Sequence, residues 1–126
     1  MTLLIDTNVA IDLLNHPERA GPRLVSLGEV VLSVVSAVEL FGGLESDFQS
    51  DLREPRVRVL LRDIRVVPFD LEMAETYCDI VRQHGFSRRL ILDRMIAATA
   101  LVLRTTLLTA NTKDFASVRG LAMEAW

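Results

Sequence analysis

Asp6, Glu39, Asp93 and Asp114 stand far apart in the chain, yet each lies near a junction between an apolar, strand-like run and a helix. Thr2-Leu3-Leu4-Ile5 precedes Asp6, and Val30-Val31-Leu32-Ser33-Val34-Val35 precedes the Ser36-Ala37-Val38-Glu39 segment. Asp93 opens a strongly helical stretch over residues 95–103, and Thr106-Leu107-Leu108-Thr109 leads into Asp114. In an open α/β sheet such junctions share the carboxyl edge, where ligands bind. Carboxylates gathered there with few basic neighbours repel one another unless a cation neutralises them, and hard oxygen ligands suit Mg²⁺ or Mn²⁺. The chemistry of such a site is the activation of water in line with a phosphodiester.

Each acid also has a purely structural use. Asp6 and Asp93 can cap helices, Ser36 and Glu39 match a capping box, and Asn111-Thr112-Lys113-Asp114 repeats that pattern with a shorter acid. Caps need not be acidic, however. Thr7, Asn8, Ser36 and Asn111 stand beside the carboxylates and could do the capping alone, which leaves the acids free to face the sheet edge. No Ser–His–Asp or Cys–His pairing competes. His16 and His84 fall near expected helix ends and have no metal-ligand spacing, and Gly42-Gly43 lacks the Lys-Ser/Thr of a phosphate loop.

The elements that must position these residues alternate between strand and helix. Strands are expected at 2–5, 30–35, 66–69 and 106–109, with a further one at 121–125. Helices are expected from Val9 to Leu14, over 19–27, from Ala37 with an interruption at Gly42-Gly43, and over 57–64 after a break at Pro55. Asp70 should cap a helix that runs to His84 and ends at Gly85, and residues 93–104 form the most central helix. A short helix is expected over 112–118. This pattern implies an α/β fold: a single domain over 1–126, with a mainly parallel central sheet of four to five strands flanked by helices on both faces.

The 126 residues are 50% hydrophobic, enough for one real core and too apolar for disorder. No apolar run reaches the length of a membrane span, so no membrane role is expected. The start lacks the features of a secretory signal, and the lone Cys78 permits no internal disulfide, so a cytoplasmic location is expected. Cys78 falls on a helical stripe with Ala74, Tyr77 and Val81 and is expected in the core. A net charge of −3 argues against a general nucleic-acid coat but not against an enzyme that grips RNA through a metal and a few arginines.

Four segments together resemble the PIN domain, in particular the VapC-type toxins of type II toxin–antitoxin pairs. They are Leu4-Ile5-Asp6-Thr7-Asn8-Val9, Ser36-Ala37-Val38-Glu39-Leu40-Phe41-Gly42, Asp93-Arg94-Met95-Ile96-Ala97-Ala98-Thr99-Ala100, and Thr109-Ala110-Asn111-Thr112-Lys113-Asp114-Phe115, with Trp126 at the end. The resemblance spans the chain. It implies an endoribonuclease dependent on Mg²⁺ or Mn²⁺, with Asp6 and Asp93 as direct ligands and Glu39 binding a second ion or a metal water. A fourth acidic role near the last strand falls to Asn111 or Asp114. Thr7, Asn8, Ser36 and Thr109 would orient these groups, and Arg88 and Arg89 would touch phosphate. It also implies a homodimer and a VapB-like antitoxin lying in an apolar groove lined by the first two helices and residues 41–48.

A receiver-type phosphoacceptor domain shares strand-end aspartates and Mg²⁺, but it needs paired acids after the first strand, where Asp6 stands alone. A PIN domain reduced to a binding module would lack a core acid, whereas Asp6, Glu39 and Asp93 are all present. A DNA-directed nuclease would use the same metal chemistry. Small size and the absence of an added DNA-binding domain favour RNA.

Overall fold

The computed structural model describes residues 2–45 and 50–126. Its centre is a sheet of five strands: β1 (Thr2–Ile5), β2 (Glu29–Ser33), β3 (Arg65–Val67), β4 (Thr106–Thr109) and β5 (Met123–Ala125). All pair in parallel, in the order β3-β2-β1-β4-β5. The helices are α1 (Thr7–Asn15), α2 (Pro17–Ser26), α3 (Val34–Glu45), α4 (Ser50–Asp63), α5 (Leu71–His84) and α6 (Ile91–Leu103).

Alternation along the strands sorts side chains between two cores. Leu3 and Ile5 of β1, Leu32 of β2 and Leu108 of β4 face Val9, Leu14, Leu24 and Val57 of α1, α2 and α4. Their neighbours Leu4, Val31 and Leu107 face Ile80 of α5 and Ile96, Ala97 and Ala100 of α6. The three central strands are therefore apolar on both faces, as a parallel sheet covered on both sides requires. The expected α/β architecture is realised, with helices on both faces.

The chain first winds from β1 outward to β3, then returns to add β4 on the other side of β1. This reversal creates a switch point between β1 and β4, and the crevice at their carboxyl ends is the place an open sheet reserves for ligands.

Several local expectations change. α3 starts at Val34, directly after β2, with the Ser33 hydroxyl accepting from the Val35 amide at 3.0 Å. Ser36 and Glu39 are thus interior helical residues rather than a capping box. α3 continues through Gly42-Gly43, and α4 contains Pro55 instead of breaking there. α6 begins at Ile91, so Asp93 lies in its first turn and does not cap it. Residues 112–118 give only a 3-10 turn, Thr112–Asp114. α5 buries Met73 and Ile80 and leaves Cys78 exposed, so the thiol is not in the core. Asp70 does cap α5, accepting from the Met73 amide at 3.0 Å, and Gly85 ends that helix with a φ of 77°. Among the described residues, no helix is long and apolar enough to cross a membrane.

Candidate metal centre at the carboxyl edge of the sheet

The buried polar side chains show where the site is. Asp6, Thr7, Ser33, Ser36 and Thr109 are all buried, and all lie where β1, β2 or β4 ends. A buried polar group must be hydrogen-bonded or it destabilises the fold. Asp6, Thr7, Ser36 and Thr109 pair with one another across elements that are distant in sequence, while Ser33 accepts from the Val35 amide.

Asp6 is the hub. It follows β1 and caps α1, with Oδ1 accepting from the Thr7 amide at 2.8 Å. Its Oδ2 accepts from Thr109 Oγ1 at 2.7 Å and from Asn8 Nδ2 at 3.1 Å. Asn8 Oδ1 in turn accepts from the Ala110 amide at 3.1 Å, which ties the end of β4 to the start of α1. Asp6 therefore spans the switch point and is fixed in place by three donors. The sequence offered a choice between cap and ligand, but the geometry lets one carboxylate serve as a cap and still face the crevice.

Glu39 arrives on α3. Thr7 Oγ1 lies 2.7 Å from Glu39 Oε1 and 2.8 Å from Ser36 Oγ. Thr7 has one hydroxyl proton, which goes to the carboxylate, so the Ser36 hydroxyl serves as donor to Thr7. A short chain, Ser36 to Thr7 to Glu39, thus holds the acid. Thr7→Val would remove its middle link and leave the buried Ser36 hydroxyl without a partner. The expected result is a loss of about 1–3 kcal/mol of stability and a drop in RNA cleavage of about 10- to 100-fold. Urea denaturation and initial-rate assays on the same preparation check both.

Asp93, in the first turn of α6, differs from these two. Among the described residues none donates a hydrogen bond to its half-buried carboxylate. Burial raises its pKa most, followed by the charges of Asp6, Glu39 and Asp114. Arg89 pulls it down, and the outcome is about 6. Asp6 and Glu39 are also pushed up, chiefly by burial and partly by the charges of Asp114 and Asp6 respectively, against the lowering effect of their hydrogen bonds. Asp6, Glu39 and Asp93 therefore each feel the charge of another acid at this edge.

This coupling has a sign that can be measured. The folded-state pKa of Asp93, about 6, lies above its ordinary value of 3.8. Between those limits the native protein holds a proton that the unfolded chain releases. Stability from this group is complete below about pH 4 and is lost as the pH rises through about 6. The metal-free protein should therefore lose melting temperature across that window relative to Asp93→Asn, which cannot titrate. Thermal denaturation of both proteins in chelator from pH 4 to 7 measures the difference.

At the fourth position the structure brings Asn111 and Asp114 together. Asn111 Nδ2 donates to Asp114 Oδ2 at 2.6 Å, so the two candidate side chains are paired with each other. Arg89 Nη1 approaches the same oxygen at 3.5 Å. Arg88 is exposed beside it, in the 3-10 turn Arg88–Leu90. Two features had no clear signal in the sequence. Arg94 is buried and donates from Nη1 to the Gly85 carbonyl at 2.7 Å. Trp126 Nε1 donates to Asp12 Oδ2 at 2.9 Å while Arg23 stacks over the indole ring at 4.0 Å, clasping the last strand to α1 and α2.

Among the described residues, no three acidic, histidine or cysteine side chains draw together into a finished metal cage. An arrangement of separated carboxylates suits Mg²⁺, which keeps several waters and takes only one or two protein carboxylates directly. Asp6 is fixed by protein donors and Asp93 is not engaged, so the donor set fits a hydrated divalent ion.

Comparison with known proteins agrees with this architecture. The sequence profile of the PIN domain matches residues 3–121. The chain is 24% identical over 133 residues to Ribonuclease VapC2 of Rickettsia felis, covering 100% of this chain and 98% of that protein. It superposes on a crystal structure of VapBC2 from Rickettsia felis bound to a promoter DNA fragment with a TM-score of 0.87 and 22% identity, covering 100% and 99% of the two chains. Against FitAcB from Neisseria gonorrhoeae the TM-score is 0.74 at 30% identity, with 96% and 95% covered. With the family profile matched from β1 to the approach to β5, the chain belongs to the PIN-domain family.

Proposed function

We propose that this chain is the toxin of a VapBC-type pair, an endoribonuclease that hydrolyses RNA phosphodiesters with Mg²⁺ or Mn²⁺. The observation that carries the reading is that Asp6, Glu39 and Asp93 lie close enough at the carboxyl edge for charge to act between them, while Asp93 accepts no hydrogen bond from any described residue. Relatives named as VapC ribonucleases, aligned along the full chain, support the substrate class.

Asp6 and Asp93 would hold the ion directly, with Glu39 holding a second ion or a water, and Asp114 adding charge from the fourth position. When bound, the ion supplies Lewis acidity and the lowered water pKa that phosphodiester hydrolysis at neutral pH requires. The protein's own groups do the positioning. Thr109, Asn8 and the Thr7 amide keep Asp6 from rotating, and Thr7 with Ser36 aims Glu39. Arg89, paired with Asp114, is placed to meet a phosphate oxygen and offset the carboxylate field.

The solved complexes of VapB and VapC proteins support an antitoxin as partner. An apolar groove of about 620 Å³ is lined by Leu13, Leu14 and Pro17 and by Val59 and Leu60, the kind of surface that takes an apolar peptide segment. It joins a second hollow of about 460 Å³ through Leu13 and Leu60. α1, α2 and α4 contribute to this surface, and Phe41 does not line it; of the residues 41–48 expected there from the sequence, 46–48 lie outside the described residues. Val34, Val38 and Phe41 make an exposed apolar stripe on α3 that suits a second copy of the chain.

Incubation of purified, antitoxin-free protein with total cellular RNA tests the activity. Discrete fragments are expected with Mg²⁺ or Mn²⁺ and none with EDTA. Cleavage unaffected by EDTA, or intact RNA with every divalent metal, would overturn the proposal.

A further inference from the structure

The connector between α5 and α6 runs Gly85-Phe86-Ser87-Arg88-Arg89-Leu90 and carries no acid, although it borders the acidic site. Phe86 is 67% exposed on it. A single exposed apolar residue needs no explanation. Here the setting differs: an aromatic ring out in solvent is followed within three residues by two exposed arginines.

The connector is also firmly mounted. Gly85 takes a φ of 77°, turning the chain out of α5, and its amide donates to the Val81 carbonyl at 2.7 Å. Its own carbonyl accepts from buried Arg94, the residue next to Asp93, at 2.7 Å. A buried guanidinium is costly unless it is hydrogen-bonded, so this anchor is a built feature. On the far side, the Leu90 amide donates to the Ser87 carbonyl at 3.2 Å, and Arg89 reaches Asp114 at 3.5 Å. The connector is thus tied at one end to Arg94, the neighbour of Asp93, and at the other to Asp114.

We propose that Phe86, with Arg88 and Arg89, is a platform for an unpaired RNA nucleotide flanking the cleaved phosphate. Phe86 stacks on the base, and the arginines engage the adjoining phosphates. Every base has a π-face, so stacking tolerates sequence but requires a base freed from a duplex. The two positive charges complement a backbone that the carboxylates alone would repel. The platform therefore selects single-stranded loops over helices. This inference rests on the ribonuclease reading above.

The test uses full-length Asp93→Asn protein, which binds without cutting, and an unstructured U-rich RNA oligonucleotide with one central 2-aminopurine. Binding should quench the 2-aminopurine. Phe86→Ala should weaken affinity roughly ten-fold and abolish the quench, while Phe86→Trp should keep both. The same RNA annealed into a duplex should bind independently of residue 86. In the otherwise unaltered enzyme, Phe86→Ala should raise KM more than it lowers kcat. Unchanged affinity and quench in Phe86→Ala would overturn the platform while leaving the ribonuclease reading intact. A changed oligomeric state by light scattering, or lost antitoxin capture, in that variant would assign Phe86 to a protein contact and also overturn it. Failure of the Phe86-containing protein to bind any RNA would overturn both readings together.

Discussion

Asp93→Asn should abolish RNA cleavage and at the same time raise the melting temperature of the metal-free protein at neutral pH. The two effects have one cause. Asp93 accepts no hydrogen bond from any described residue, so its carboxylate contributes nothing to the fold that an amide would forfeit. At pH 7 it is an ionised group, half-buried, facing the charges of Asp6, Glu39 and Asp114. Neutralising it removes that repulsion. A shift from 3.8 to about 6, discounted for the solvent that screens a half-exposed group, corresponds to on the order of 1 kcal/mol. A rise of a few degrees in melting temperature is therefore expected. Groups that merely orient metal ligands are worth about 10- to 100-fold, so a direct ligand should cost at least about 100-fold in kcat/KM. Initial rates with Mn²⁺, paired with thermal melts in chelator, check both halves. Full activity in Asp93→Asn would remove Asp93 from the reaction. A drop in melting temperature would mean that the carboxylate is structural.

Asp6→Ala should be equally inactive but should move stability the other way. Asp6 accepts from the Thr7 amide, Asn8 and Thr109, and it caps α1. Loss of a cap costs about 1 kcal/mol. A buried donor left unpaired, here the Thr109 hydroxyl, costs about 1–3 kcal/mol more. The sum is about 2–4 kcal/mol, on the order of a 10 °C fall in melting temperature. Two aspartates with the same expected effect on cleavage are thus separated by the sign of their effect on stability. Calorimetry of the two variants side by side makes the comparison. Equal shifts would refute the distinction between a scaffolded ligand and an unengaged one.

Much of this arrangement is legible before any coordinates. Short continuous apolar runs mark β1, β2 and β4, because a strand covered on both faces must be apolar on both. Once the strands are placed, Asp6 and Thr109 fall at the carboxyl edge by necessity. Elsewhere tertiary contacts override the local signal. Val34-Val35 reads as strand by propensity, yet Ser33 caps a helix there, and the local Ser36/Glu39 match to a capping box then misleads. Both residues instead occupy the face of α3 turned towards Thr7, a contact across 29 and 32 positions that no local pattern encodes. Asp93 looked like a cap because the helical stretch strengthens after it, but the preceding 3-10 turn carries Leu90 into that role. Cys78 was misplaced by one step around α5, where Met73, Tyr77 and Ile80 set the packed stripe. The role of Arg94 was invisible, since its partner is a backbone carbonyl. The pairing of Asn111 with Asp114 depends on side-chain directions, which spacing does not give.

The central claim is that these carboxylates act jointly as a divalent-metal site. Titration of Mn²⁺ into the purified protein, followed by isothermal calorimetry for the unaltered chain, Asp93→Asn and Asp6→Asn, tests it most directly. Saturable binding in the unaltered chain, weakened about ten-fold or more in each variant, is the result expected of a shared site. Mn²⁺ binding of equal strength in all three proteins, or in none of them, would contradict it.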